Sequence, residues 1–357
     1  MNEAAWASFN IIGGLVVLVA GGEMLVRGAS KLAAAMRISP LVIGLTVVAF
    51  GTSFPELIVS IRAAFAGSAD IALGNVVGSN IFNVLFILGL SALITPLLVS
   101  SQLIRQDVPV MVLASIVLLL LSLDTRLGFF DGLLLSSGLV VYTYWCVRQA
   151  KRESVVSNEM QASAGPRGAI ARNLCLCFVG LVLLGFGSKW LVDGSVAVAG
   201  LLGVSQLVIG LTIVAAGTSL PEVVTSILAA WRGERDIAVG NVVGSNLFNI
   251  LGVLGISSLV SPEGISVSVE ALRFDLPVMI AVAIACMPIF LTGNVISRWE
   301  GALFAFYYVG YTSYLVLAAM SNELSLTLAQ AMLNFAIPLT IVTLAFSTYR
   351  HMLRSDS

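Results

Sequence analysis

Apolar residues occur in long continuous runs along this chain, as in Val110–Leu123 and Ile280–Leu291. Barrel strands would instead alternate apolar and polar side chains over ~10 positions. A chain in lipid must satisfy its own backbone hydrogen bonds, so it is either helical or a closed barrel. The continuous runs predict helices. A span needs ~20 mostly apolar residues. Such segments fall near 7–26, 40–65, 71–96, 106–123, 128–147, 171–193, 206–231, 237–260, 274–292, 299–320 and 325–348, eleven in all. The first has no lysine or arginine ahead of it and no evident small-residue cleavage site. It reads as a retained helix rather than a signal peptide.

One long polar stretch, Arg148–Arg172, divides the chain near its middle. The expected organisation is a first five-helix unit over 1–150, a cytoplasmic linker over 151–170, a second five-helix unit over 171–322, and an additional transmembrane helix with a short tail over 323–357.

Composition agrees with the pattern. Hydrophobic residues make up 58% and charged residues 10%, against roughly a quarter charged in a soluble domain. Mean hydropathy is +1.02. These values exclude a soluble enzyme, a nucleic-acid binder and a disordered chain; the net charge of −1 leaves no basic field for nucleic acid. Cys146, Cys175, Cys177 and Cys286 lie in apolar runs, and Cys175-Leu176-Cys177 has the wrong spacing for a zinc knuckle. The single histidine, His351, lies in the tail, which leaves no base for Ser-His or Cys-His chemistry.

Basic residues set the expected orientation. With the N-terminus outside and spans alternating, fourteen of the 18 lysines and arginines fall on the cytoplasmic side. Only Arg62, Arg126, Lys189 and Arg273 fall on the other. This positive-inside bias predicts an N-terminus outside and a cytoplasmic C-terminus, in an integral membrane protein expected in the plasma (inner) membrane.

The chain repeats itself. Residues 51–96 align with 217–262 without a gap, at a shift of 166, and 28 of the 46 positions are identical. The match extends upstream through the shared LVIGLT and downstream through Arg105-x-Asp107-x-Pro109 and Arg273-x-Asp275-x-Pro277. Chance likeness between apolar helices would exchange leucine for valine; it would not reproduce Gly, Thr, Ser, Pro, Glu and Asn in order. Five spans per repeat is an odd number, so the second copy is expected upside down in the membrane. The fold class is thus an all-α polytopic membrane protein of two inverted-topology repeats of five transmembrane helices plus an extra C-terminal helix. Inverted repeats mark secondary transporters, with the site near the midplane where the halves meet.

Each repeat interrupts an apolar span with a polar cluster: Gly51-Thr52-Ser53-Phe54-Pro55-Glu56 and Gly217-Thr218-Ser219-Leu220-Pro221-Glu222. Proline removes a backbone donor and clashes one turn back, so a break is expected here. The carbonyls of Ala49 and Ala215 are the ones expected to be freed. A carboxylate at membrane depth costs about 2.5 kcal/mol or more and marks an ion or substrate path. A Glu56–Arg62 pair is the bland alternative, but Leu228 stands at the second copy's equivalent of Arg62. The next span carries Gly74-Asn75-Val76-Val77-Gly78-Ser79-Asn80-Ile81-Phe82-Asn83 and its copy at 240–249. Ser79 and Asn83, four apart, share a helical face, as do Ser245 and Asn249. Gly74 and Gly78 recur at the spacing of a close helix crossing. Asn75, Asn80, Asn241 and Asn246 serve either helix–helix hydrogen bonds or the ion path. An all-oxygen donor set without thiol or imidazole disfavours soft metals. It suits calcium and sodium better than magnesium. Two carboxylates balance one calcium or two sodium ions.

At these residues the chain resembles a sodium/calcium exchanger of the calcium/cation antiporter superfamily, of the prokaryotic type. The two GTS-x-PE and GN-VVGSN-x-FN stretches are similar to that family's two alpha repeats. The resemblance covers roughly residues 10–320. It implies a secondary antiporter, not an enzyme, with no cofactor, exchanging sodium for calcium by alternating access. It implies calcium ligation by Glu56, Glu222, Thr52 and Thr218. It implies sodium sites drawn from Ala49, Thr52, Ser53, Glu56, Ser79, Asn83, Ala215, Thr218, Ser219, Glu222, Ser245 and Asn249. The first helix of each half would slide against a fixed core. Some relatives, including potassium-dependent ones, carry aspartate where this chain has Asn249. The proton-coupled branch typically has a glutamate after the Gly-Asn pair, where both copies here read Val-Val-Gly. The first departure favours potassium independence and the second argues against proton coupling; the three-for-one stoichiometry that the resemblance implies would make exchange electrogenic. A proton/calcium antiporter is the alternative within transport. A cation channel would need a pore that typically forms among several subunits. Asp107 and Asp275, beside basic residues, read as interfacial ion pairs rather than a catalytic dyad.

Overall fold

The computed structural model describes residues 3–66, 69–157, 167–202, 213, 215–291, 293–320 and 322–343. Its long helices are α1 (Ala5–Met36), the bent pair α2 (Pro40–Thr52) and α3 (Phe54–Phe65), α4 (Ile71–Ile94), α5 (Leu103–Asp124) and α6 (Phe129–Ala150) in the first half. The second half has α7 (Ala169–Leu201), the shorter α8 (Leu220–Trp231), α9 (Arg235–Val260), α10 (Ala271–Leu291) and α11 (Arg298–Ala319), followed by α12 (Leu324–Thr343). Nine of these are each long and apolar enough to cross a membrane, and α2–α3 make a tenth span among the described residues. The upstream part of the expected span 206–231 lies outside the described residues. Large apolar side chains cover the outer surface, among them Phe9, Ile12, Val16, Leu113, Leu120, Val140, Phe178 and Phe306. Such a surface requires lipid.

The halves are inverted, and two features show it directly. Leu97–Leu98 (β1) pairs antiparallel with Val295–Ile296 (β4), and Arg126–Leu127 (β2) with Ile265–Ser266 (β3). β1 follows the third span of the first half, and β4 follows the fourth span of the second. They can meet only if the two halves run in opposite directions across the membrane. The first helices of the halves also lie antiparallel. Gly14 faces Gly187, Gly21 faces Gly180 and Gly28 faces Asn173 and Cys177.

Those glycines explain why α1 and α7 pack along their whole length. They recur every seven residues, at 14, 21 and 28 in α1 and at 180, 187 and 194 in α7, and the two sets coincide under the shift of 166. A Cβ at Gly14, Gly21, Gly180, Gly187 or Gly194 would come within 3.0 Å of the opposing backbone. Removing that atom lets the backbones touch, which drives helix association in lipid.

α1 and α7 are longer than the expected 7–26 and 171–193. α1 runs past the charged residues Glu23, Arg27 and Lys31. Glu23 pairs with Arg27 and with Arg232 beyond α8, and Ser30 donates to Glu234 at 2.6 Å. At 1.5 Å per residue, 32 residues span about 48 Å, beyond the ~30 Å hydrocarbon core, so α1 tilts or projects. The expected linker is helical at both ends, since helix continues to Ser157 and resumes at Arg167.

α9 is enclosed along its length and α4 is mostly so, whereas α11 and α12 lie at the periphery. The two helices carrying the repeated asparagines therefore form the centre. The close crossing expected of the repeated glycines is present at Gly240 and Gly244, whose Cβ positions fall 2.9 Å and 2.6 Å from the carbonyls of Leu41 and Leu45. The equivalent partner segment for Gly74 and Gly78, 207–211, lies outside the described residues. α12 rests on α11, where Tyr307 donates to Ala336 O at 2.9 Å.

Asp107 and Asp275 depart from the expected ion pairs. Asp107 is fully buried and accepts from Tyr142 at 3.0 Å and Gln102 at 3.3 Å, and Asp275 accepts from Tyr311 at 2.9 Å. Arg105 and Arg273 sit two residues earlier, and side chains two apart on a helix do not face each other.

Candidate functional site

The polar clusters break their helices as proline chemistry requires. Ser53 leaves helical geometry at φ −84°, ψ 8°, and Ser219 does the same at φ −90°, ψ 6°. α2 and α3 meet at a 43° bend there. The carbonyl deprived of its partner differs from the one expected. Ala49 O keeps the Ser53 N–H at 3.1 Å, and Thr52 Oγ1 lies 3.4 Å from it. The missing N–H of Pro55 or Pro221 belongs to the bond to residue i−4, which is Gly51 or Gly217. Ser188 compensates in the second half, donating its hydroxyl to Gly217 O at 2.6 Å. Its equivalent in the first half is Gly22.

The breaks bring the two carboxylates into one buried cluster. Glu56 is fully buried and Glu222 is 1% exposed. Each accepts a hydrogen bond from the serine of the opposite half: Ser219 Oγ to Glu56 Oε1 at 2.9 Å, and Ser53 Oγ to Glu222 Oε1 at 2.9 Å. Ser219 also lies 3.1 Å from Ser79 Oγ. Thr52 donates to Asn241 Oδ1 at 3.1 Å, and Asn241 to Ser226 at 2.9 Å. In the first half Asn75 donates to Ser60 at 3.0 Å and to Glu56 O at 3.2 Å. Asn75 and Asn241 thus join helices.

Thirteen buried side-chain atoms have no hydrogen-bond partner among the described residues, and six of them lie on the repeated motifs: Glu56 Oε2, Glu222 Oε2, Asn83 Oδ1, Asn249 Oδ1, Thr218 Oγ1 and Ser245 Oγ. Buried polar atoms without partners carry a desolvation penalty of about 1–3 kcal/mol each, which a bound cation would offset at the oxygens among these six. Four of the six are carboxylate or amide oxygens, which only accept. That donor set fits a hard cation. Asn83 and Asn249 open wide π-helical turns, Asn83–Leu88 and Asn249–Leu254, a distortion frequent at functional sites. Of the twelve residues singled out from the sequence, Glu56, Glu222, Ser53, Ser219 and Ser79 are joined by hydrogen bonds. Thr52 bonds instead to Asn241, which bonds on to Ser226. Ala215 is described at its backbone, in the short helix Ala215–Gly217.

Two inverted halves crossing at broken helices, with buried carboxylates where they meet, define an ion-coupled secondary transporter. The sodium/calcium exchanger protein family matches residues 6–148 and 172–317, so the chain belongs to that family. It is similar to the sodium/calcium exchanger MaX1 of Methanosarcina acetivorans, with 34% identity over 341 residues covering 84% of this chain and 95% of that one. It is similar to the inner membrane protein YrbG of Escherichia coli (strain K12), with 36% identity over 282 residues covering 78% and 87%. Among solved structures it matches the sodium-calcium exchanger NCX_Mj with a TM-score of 0.76 and 30% identity, over 87% of this chain and 99% of that one. The family and fold are those of cation antiporters and not of enzymes.

Proposed function

We propose that the chain exchanges sodium for calcium across the membrane by alternating access, at a site formed by the two broken helices and the two central ones. The observation that carries this reading is the exchange of serines between halves. Each carboxylate keeps one oxygen on a serine of the other half and leaves its second oxygen buried without a partner. Two facing carboxylates supply a formal charge of −2, matched by one calcium or by two sodium ions. Glu56, Glu222, Thr52 and Thr218 ligate calcium. Sodium uses these together with Ser53, Ser79, Asn83, Ser219, Ser245, Asn249 and, through the lone pair that a backbone hydrogen bond leaves over, the carbonyls of Ala49 and Ala215. No group in this set requires a cofactor.

Asn at both 83 and 249 supports potassium independence, because no third carboxylate is present to recruit another cation. Three sodium ions for one calcium would make each cycle electrogenic. The functional units are residues 1–150 and 171–322, joined by the linker 151–170, with 323–357 added at the end. The basic-residue bias supports a cytoplasmic linker and C-terminus, and the similarity to an inner membrane protein supports the prokaryotic plasma membrane.

The proton/calcium alternative is tested in the same experiment. Purified protein in vesicles is expected to take up calcium when an outward sodium gradient is imposed, with potassium absent. Uptake driven by a pH gradient without sodium would contradict the sodium reading.

A further inference from the structure

Asn83 and Asn249 present an oxygen to the candidate site only if their amides point one way round. Turned over, each would aim an NH2 group at a cation. The asparagines at 80 and 246 bear on that choice. Asn80 and Asn83 stand on α4, and Asn246 and Asn249 on α9; all four are at most 2% exposed. Asn80 Nδ2 donates to Asn246 O at 3.2 Å, and Asn246 Nδ2 donates to Asn80 O at 3.3 Å. Asn249 Nδ2 donates to Asn80 Oδ1 at 3.1 Å, and Asn83 Nδ2 donates to Asn246 Oδ1 at 3.0 Å.

The direction of every bond follows from the main chain. A backbone carbonyl only accepts, so the amide end of Asn80 facing Asn246 O is its NH2. The other end of Asn80 is then oxygen. The amide end of Asn249 that touches that oxygen must donate, so it is NH2 as well. The oxygen of Asn249 is thereby turned away from Asn80, and it is one of the buried atoms without a partner. The same sequence runs from Asn80 O through Asn246 to Asn83. Met279 and Met111 lie 3.7 Å and 3.6 Å from the same two NH2 groups and offer only weak sulfur acceptors, which leaves the carbonyls in control.

We propose that Asn80 and Asn246 are positioning residues that fix the amide orientation of Asn249 and Asn83, so that each presents oxygen rather than NH2 to the transported cation. The two relays cross between α4 and α9, and each begins and ends on the same helix. This inference rests on the proposed cation site.

The test is a pair of double-mutant cycles on the purified protein. Calcium binding is measured by calorimetry, together with the sodium concentration that displaces half of the bound calcium. Asn249→Ala is expected to raise that concentration about tenfold, and Asn80→Ala by a similar factor, as for loss of one oriented oxygen. The double variant is expected to be no worse than Asn249→Ala alone, because Asn80 acts through Asn249. Asn246→Ala with Asn83→Ala repeats the cycle on the other relay and carries the test where Asn80→Ala does not fold. Asn80→Ala combined with Asn83→Ala, which lie on different relays, is expected to multiply. Multiplying effects within a relay would overturn the proposal, as would a variant at 80 or 246 that lowers thermal stability without changing sodium displacement. Wild-type protein that binds no calcium would overturn the site and the relay together. Normal wild-type binding with independent variants would overturn the relay alone.

Discussion

Gly21 and Gly180 face each other across the crossing of α1 and α7, each placing its absent Cβ 2.8 Å from the other's carbonyl oxygen. Any side chain at either position must push two backbones apart. Gly21→Leu and Gly180→Leu are expected to destabilise the protein by about 1–3 kcal/mol, as overpacking does. Gly185→Ala, with no described atom within 4 Å of its Cβ, is expected to be neutral or slightly stabilising because alanine is the better helix former. Thermal unfolding of the three variants in detergent checks this; equal behaviour at 21 and 185 would contradict the packing.

The cross-half serines give a second prediction. Removing the hydroxyl of Ser219 or Ser53 strips a buried carboxylate of a hydrogen bond of the charged kind, worth about 1.5–3 kcal/mol. Ser219→Ala and Ser53→Ala are expected each to weaken calcium binding about tenfold or more. Titration calorimetry of both variants measures it, and an unchanged affinity in either would exclude that serine from the site.

Much of this site was legible in the sequence because the repeat doubled every polar signal. Glu56, Ser53, Asn83 and their copies stood out against apolar spans, and five spans per repeat required inversion. The exchange of serines between halves was not legible, since neither copy alone shows which carboxylate its hydroxyl reaches. Nor was the choice of freed carbonyl. Proline's missing N–H points four residues back, to Gly51 and Gly217, rather than to Ala49 and Ala215. The glycine heptads of α1 and α7 were hidden inside ordinary apolar runs, where a glycine every seventh residue changes hydropathy little. Asp107 and Asp275 misled because their arginine neighbours are adjacent in sequence but lie on another helical face, whereas Tyr142 and Tyr311 are distant in sequence and near in space.

Ser188 provides a third prediction. Its hydroxyl compensates Gly217 O, whose helical donor Pro221 cannot supply. Ser188→Ala leaves a buried carbonyl unsatisfied and is expected to cost about 1–3 kcal/mol. Thermal unfolding with and without calcium reads it out; a melting point equal to wild type would contradict this role.

A fourth prediction concerns Asn249. An amide does not titrate, whereas Asn249→Asp adds a third carboxylate beside Glu56 and Glu222. Sodium-driven calcium flux in this variant is expected to vary more steeply between pH 6 and 9 than in wild type, and to acquire a response to potassium. Strict potassium dependence of the wild type would show that position 249 does not set it.

Glu56 and Glu222 are the centre of the account, and calcium uptake into sodium-loaded proteoliposomes tests them most directly. Wild type is expected to accumulate calcium against a sodium-free exterior. Glu56→Gln and Glu222→Gln keep the shape of the side chain and halve the formal charge facing a divalent ion, so each is expected to lose nearly all uptake while still unfolding cooperatively on heating. Near-normal uptake in either folded variant would contradict the proposed site.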